Sequence, residues 1–406
     1  MPRLHYLSMM RFPTEKAHGL QIVQNCEALA NMGYEVQLWV SRRLNTPQMK
    51  SIRDPYAHYG IERNFSITQI PCLDVYPIAF KNVFLEKIAF VIFVISMIFF
   101  VGIRLLFHRA DVYYSRDEYL LLVLSLFLPR EKLVFEIHQF WTGRKTAWIQ
   151  RQVVQRVGHV IAITPKLAED VIEIHGARRN DVIVAHDGIR AARFANPLTK
   201  IEARQTIGWS ESAFIVGFVG RLQMLNMDKG VGTLIDALAQ IEGVSLALVG
   251  GSDEAANGLR QQWLSLGLPE NHFLYAGQVK PHLVPLYLAA FDICAMPHPF
   301  TRQFAYYTSP LKLFEYMAAE RAIVATDLPS WSDVIQHETN ALLFAADNDN
   351  ALADAIRRLH DDASLRDTLG QNARQRVMHY YTWAARAKHI RNHLERDTMA
   401  SKQHTT

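Results

Sequence analysis

Apolar and polar positions recur along this chain at two periods. Short apolar runs at residues 4–8 and 36–40 enclose a stretch in which Ile22, Cys26, Leu29 and Ala30 fall at helical spacing. The pattern predicts strand, loop, helix and strand, with Gly33 ending the helix in a left-handed cap and the two strands running parallel. Further strands are predicted at 66–70, 111–114, 132–137, 159–163 and 182–185. A second alternating series starts at 214–220 (FIVGFVG) and continues at 246–250, 273–276, 293–296 and 322–325. The reading is an α/β chain of two Rossmann-like, doubly wound domains. Residues 189–209 between the two series are polar and irregular, contain Pro197, and predict a hinge with the boundary near Asn196. The tail from Ser401 is small and polar and is predicted to be disordered. Ligands of open parallel sheets bind beyond the carboxyl ends of the strands, so the crevice between two such domains is the expected site.

One segment breaks the alternation. Residues 88–103 (IAFVIFVISMIFFVGI) carry no charge and lie between Lys87 and the basic group Arg104, His108 and Arg109. A span needs about 20 apolar residues, and crossing here would put two parts of one parallel sheet on opposite sides of a bilayer. A span is therefore rejected. Two readings remain for a helix over 84–107: wholly buried in the N-terminal domain, or partly immersed in a membrane face with its basic flank on anionic headgroups. The lack of a polar face favours membrane contact.

Composition narrows the setting. The 406 residues exceed what one core usually holds, and an apolar half with 20% charged residues excludes a disordered chain. A net charge of +4 suits phosphorylated ligands without demanding nucleic acid. Cys26, Cys72 and Cys294 lie far apart with no CxxC pairing, so neither a disulfide framework nor a zinc site is implied and a reducing compartment fits. The start, MPRLHYLSMMRFPTEK, is too broken by charge for a secretory signal, which places the chain in the cytoplasm as an expectation.

Two segments carry candidate chemistry. Arg221 follows FIVGFVG, and Lys229-Gly230 eight residues later opens a helix near Val231. Free N–H groups at a helix start, joined by two cations, suit a diphosphate; a solvated Arg and Lys on a loop is the equal alternative. Farther on, TSPLKLFEYMAA at 308–319 predicts a helix capped by Ser309 and opened by Pro310, with Glu315 one turn inside. A carboxylate among apolar residues needs partners; a ribose diol offers two donors, and a backbone amide or Lys312 is the structural alternative.

With these segments the chain resembles the retaining GT-B glycosyltransferases of family 4 over nearly its whole length. The matching stretches are the AHG loop and helix at 17–33, VIAITPKLAEDVI at 160–172, VAHDGI at 184–189, GR with DKG at 220–230, LALVGG at 246–251, YAGQV at 275–279, LYLAAFDICAMP at 286–297 and SPLKLFEYMAAERAIVATDLP at 309–329. The last, YTWAARAKHI at 381–390, resembles the family's closing helix, which returns to the N-terminal domain. The resemblance implies two domains facing across a cleft: 1–195 on the acceptor side, 196–378 binding the nucleotide sugar, 379–400 as closing helix and 401–406 as tail.

By position it implies that Arg221 and Lys229 bind the donor diphosphate, Glu315 the ribose, and Gly19 the phosphates from the other domain. Gly251, Val279, Tyr307, Thr308 and Leu311 complete the donor side. His138, in FEIHQFW, matches the histidine that reaches the donor sugar; a His just past a strand that simply bonds backbone is the alternative. The family's glutamate eight positions before Glu315 is Tyr307 here, and the Asn before Gly in VAHDGI is Asp187, which tolerates the same turn.

The implied activity is transfer of a sugar from a nucleotide diphosphate sugar to a glycan or polyprenyl-linked acceptor, without metal or other cofactor, at the cytoplasmic face of a membrane touched by 88–103. A nucleotide-sugar epimerase of the same fold and a silent nucleotide-binding scaffold are the alternatives. Asp347-Asn348-Asp349 superficially resembles a metal-binding DxD but sits in a polar loop and reads as a solvated turn.

Overall fold

The first predicted unit forms as read: β1 (Arg3–Arg11) and β2 (Glu35–Ser41) pair in parallel across the helix Ala17–Asn31. Gly33 follows that helix at φ 95°, and the Tyr34 N–H bonds back to Leu29 O at 3.3 Å. This computed structural model describes residues 1–76, 82–224 and 227–403; of 223–224, 227–228 and 397–403 it describes the backbone alone.

β3 (Ser66–Ile70), β4 (Val112–Ser115), β5 (Leu133–Ile137), β6 (His159–Ala162) and β7 (Val182–Val184) complete a seven-stranded parallel sheet ordered β3-β2-β1-β4-β5-β6-β7. The second unit has β8 (Phe214–Val219), a hairpin of β9 (Gln223–Met224) and β10 (Met227–Asp228), then β11 (Val244–Val249), β12 (Phe273–Tyr275), β13 (Ile293–Met296), β14 (Ala322–Thr326) and β15 (Leu342–Phe344). Its main sheet is parallel and ordered β12-β11-β8-β13-β14-β15. Strand order reverses between β1 and β4 in one sheet and between β8 and β13 in the other. These are the switch points beyond which ligands of such sheets bind. β15 and the β9–β10 hairpin go beyond the sequence reading; both are two or three residues long, too short for a period to register.

The chain divides into Met1–His186 with Trp383–Thr406, and Asp187–Thr382. The first crossing therefore lies before the expected boundary near Asn196, and the return follows Thr382 rather than residue 378. The predicted hinge at 189–209 is instead part of the second unit. Ile189 and Phe194 are buried in its core, and the helix Lys200–Ile207 is closed by a Thr199–Glu202 capping box and a left-handed Gly208. The segment is polar because its charges are paired. Arg204, 1% exposed, bonds Asp292 at 2.7 Å and the carbonyls of Ala290, Glu211 and Ala213.

The last helix, Trp383–Gln403, joins the first unit beside the Ala17–Asn31 helix. It continues past Ser401, where the sequence predicts a disordered tail; residues 404–406 lie outside the described residues. Asp347, at φ 56°, is an exposed turn, and Asn348 caps the helix Asp349–Asp361 by accepting the Ala351 N–H at 2.9 Å.

The apolar segment is one 25-residue helix, Val83–Phe107. It is two-faced in burial though not in sequence. Ala89, Phe93, Met97 and Val101, four apart, are buried, whereas Val91, Ile95, Phe99 and Ile103 on the next stripe are 52%, 64%, 61% and 41% exposed. That excludes the wholly buried reading.

Candidate functional site

The cations of the second unit meet because of the hairpin. β9 and β10 fold the chain back after Arg221, so that the Lys229 N–H bonds Leu222 O at 3.2 Å. Two residues eight apart in sequence thus flank the carboxyl end of β8. The helix Val231–Leu238 begins immediately, capped by Gly230 at φ 78°. A Cβ on Gly230 would lie 1.5 Å from Pro297 O, so only glycine lets this helix start approach the loop after β13. Gly251, at φ 83°, borders the same place, with Leu222 Cδ1 2.6 Å from where its Cβ would be. Arg221 is exposed, whereas burial and the charge of Arg221 lower the Lys229 pKa to about 8.

Glu315 is carried in by the helix Leu311–Ala318. Tyr316 fixes that helix to β8, its hydroxyl accepting the Val219 N–H at 2.7 Å. Ser309 does not cap the helix; its Oγ accepts the Asp187 N–H at 3.0 Å, and Pro310 holds the cap position. The Glu315 side chain, 19% exposed, pairs with Arg193 at 3.4 Å rather than with Lys312 or a backbone amide. Burial raises its pKa and Arg193 opposes the rise. Tyr307 is buried, with its hydroxyl accepting from Arg302 at 3.2 Å, and Thr308 Oγ1 donates to Gln303 O at 2.8 Å. Leu311 and Val279 are partly buried, the latter against the core.

In the first unit the groups gather at the carboxyl ends of β1, β4 and β5. All of β5 is buried, including Glu136. Its carboxylate meets Arg116 Nη2 at 2.5 Å, His138 Nε2 at 2.6 Å, Arg386 Nη2 at 3.0 Å and Asn25 Nδ2 at 3.3 Å, and accepts the Tyr114 hydroxyl. Burial would raise the Glu136 pKa, but Arg116, Arg386 and His138 outweigh it and hold the group well below the usual carboxylate range. His138 is therefore held by a carboxylate, and a quarter of its side chain is exposed. Arg386, on the closing helix, also bonds His186 O and Asn25 Oδ1. Gly19 lies in the first turn of its helix, where a Cβ would be 2.4 Å from Thr14 Cγ2. Beside it, burial, Arg116, Lys16 and His138 lower the His18 pKa to about 4. A separate cavity of about 440 Å³ is lined by Arg11, Lys16, His18, Arg43, Asp74 and Glu86 among others.

Each unit is thus a Rossmann-like domain with basic groups at its switch point. Residues 20–193 match the model of Glycosyltransferase Family 4, and residues 213–362 match that of Glycosyl transferases group 1. The chain belongs to the family 4 glycosyltransferases. An uncharacterized glycosyltransferase of Methanocaldococcus jannaschii is 25% identical over 57% of this chain and 58% of its own length. A D-inositol 3-phosphate glycosyltransferase of Mycolicibacterium gilvum is 31% identical over 36% of this chain. That match spans 33% of the relative, so the chain matches about a third to three fifths of these proteins. Among solved structures, HepE of Anabaena, in complex with UDP and glucose, superposes with a TM-score of 0.71 over 98% of this chain and 100% of its own, at 19% identity. The fold of this family 4 chain is GT-B, with sheets of seven and six strands.

Sequence reasoning missed several members of the two clusters. Glu136 stands inside the apolar run LVFEI, and a charge within a fully buried strand demands partners, a signal that was available. Lys312 sits in the same apolar helix as Glu315 and carries the same signal. Arg116, Arg193, His298 and Arg386 come from loops or distant helices, where no local period marks them.

Proposed function

We propose that this glycosyltransferase takes a nucleoside diphosphate sugar as donor, retains the anomeric configuration, and works without a metal ion. The observation that supports it best is the approach of Arg221 and Lys229 to each other at the end of β8, beside a helix start. Departure of the nucleoside diphosphate develops negative charge, which the two cations and the free N–H groups of Val231–Leu238 stabilise. Glu315 holds the ribose hydroxyls. The leaving phosphate takes the acceptor's proton on the face it has just left, so no protein base is assigned. His138, oriented by Glu136, positions the donor sugar. The Anabaena structure contains UDP and glucose, which makes UDP-glucose the first donor to try.

The test is a binding screen against UDP-, GDP- and ADP-sugars in the presence of EDTA, followed by NMR of the released or transferred sugar. One donor is expected to bind and to give a product of unchanged anomeric configuration. Binding of none would sink the donor reading, and an inverted product would sink retention.

The acceptor is a glycan or a polyprenyl-linked glycan met at the cytoplasmic face of a membrane. The exposed stripe of Val83–Phe107 supports this, with Lys87 on the helix and His108 and Arg109 after it exposed; Leu126 and Phe127 are also 60% and 78% exposed. The helix is long and apolar enough to span, but β3 before it and β4 after it lie in one parallel sheet. Glu86 joins this helix to the cavity of Arg11, Lys16 and Arg43, where an acceptor phosphate finds cations. The protein should float with phosphatidylglycerol vesicles. Ile95→Glu with Phe99→Glu should weaken binding at least about tenfold, since each residue contributes about 1.5–3 kcal/mol when buried. Equal flotation of the variant would refute the contact.

A further inference from the structure

The cluster at the ends of β8 and β13 holds one more buried cation than the donor reading uses. Lys312 stands in the first turn of Leu311–Ala318. Its Nζ is sealed from solvent, has no hydrogen-bond partner among the described residues, and lies 3.8 Å from the centroid of the Phe218 ring. Phe218 belongs to β8, the strand whose end carries Arg221 and Lys229. His298, two residues past β13, is 2% exposed, and its Nδ1 also lacks a partner among the described residues. Its ring is fixed edge-on to Phe304 at 5.0 Å and Trp331 at 5.7 Å. The close approach of Gly230 to Pro297 sets Lys229 against this same loop. Three basic side chains from three elements therefore converge. The electrostatics agree: burial, Lys312 and Lys229 push the His298 pKa far down, and burial with Lys229 does the same to Lys312.

A buried ammonium without a counter-charge is costly, and an anion arriving beside it removes that cost. A nucleotide sugar carries one negative charge on each phosphate, and Arg221 and Lys229 balance those two. When the bond from the anomeric carbon to the terminal phosphate breaks, its electron pair stays on the phosphate oxygen. The terminal phosphate then carries a second charge.

Resting on the donor reading above, we propose that Lys312, with His298 beside it, binds the terminal phosphate and matches this additional charge. The pair then holds the departing nucleoside diphosphate more tightly than the intact sugar ester. An interaction that grows as the bond breaks accelerates the step, whereas one equal in both states does not.

Calorimetric titration of the full chain and its Lys312→Met variant with UDP, GDP and ADP, and with the glucose ester of each, tests this. For the base that binds, the variant should lose at least about tenfold in affinity for the free diphosphate and less than about threefold for the ester. Its thermal midpoint should hold or rise by about 2–4 °C, because a buried amine with no hydrogen-bond partner among the described residues has gone. Lys312→Gln provides the same comparison should methionine fail to fold. Unchanged diphosphate affinity, or equal losses for diphosphate and ester, would overturn the inference. Wild-type protein that binds none of these ligands removes the donor reading and this inference together; wild-type binding with an unaltered variant removes this inference alone.

Discussion

Lys229→Met is expected to abolish most donor binding and to erase a pH dependence that the native protein shows. A charge-assisted hydrogen bond contributes about 1.5–3 kcal/mol, so affinity for the diphosphate should fall roughly tenfold to a hundredfold. Turnover should fall further, by roughly a hundred- to a thousandfold, as when one preorganised donor to a developing charge is removed. The Lys229 pKa of about 8 sets the pH profile. Below 8 the ammonium is present and binding is complete. Above 8 the free protein loses the proton while the complex keeps it beside the phosphates, so each further pH unit weakens binding up to about tenfold. Stability runs the other way. In the unfolded chain the lysine keeps its ordinary higher value, so above 8 the unfolded state binds more protons and the free fold gains stability until that value is passed. Titrations at pH 7 to 9.5 with native protein and variant check both signs. Native affinity that stays level to pH 9.5 would refute the assignment of Lys229 as the buried diphosphate cation.

Much of this arrangement is legible before any coordinates. Ile293–Met296 begins and ends where its apolar run does, because a parallel strand covered on both faces is apolar throughout; Ser66–Ile70, an edge strand with Ser66 and Gln69 exposed, also falls where it is read. Arg221, Lys229 and Glu315 stand out as charges beside glycines or inside an apolar helix. What periodicity could not show is which charges meet. Arg193 reaches Glu315 across 122 residues, and Arg386 reaches Asn25 across 361. Polar segments mislead for the same reason: 189–209 reads as a hinge because it is polar and irregular with Pro197, yet its Arg204 and Lys200 are both paired with Asp292. The apolar helix misleads in the opposite sense. Its sequence is uniform, and only the sheet decides which stripe of Val83–Phe107 is covered.

Glu136→Ala should be the most destabilising single change in the first unit. It leaves the guanidiniums of Arg116 and Arg386, 12% and 2% exposed, without the carboxylate that balances them. Breaking a buried pair in this way costs about 3–5 kcal/mol, and each kcal/mol lowers the melting midpoint of a domain this size by roughly 2–4 °C. Glu136→Gln keeps the shape and an acceptor for Tyr114, so it should lose less. The native carboxyl titrates well below its unfolded value. Its contribution is therefore complete above the ordinary carboxylate range and is lost only as pH falls through the depressed native value; the glutamine variant should lack that acid-side decline. Because the carboxylate also fixes His138 Nε2 at 2.6 Å, the glutamine variant separates stability from function. Donor affinity, carried by Arg221 and Lys229, should stay within about twofold while turnover falls at least roughly tenfold, the scale of a misplaced positioning group. Equal turnover at equal folded fraction would make Glu136 a purely structural anchor.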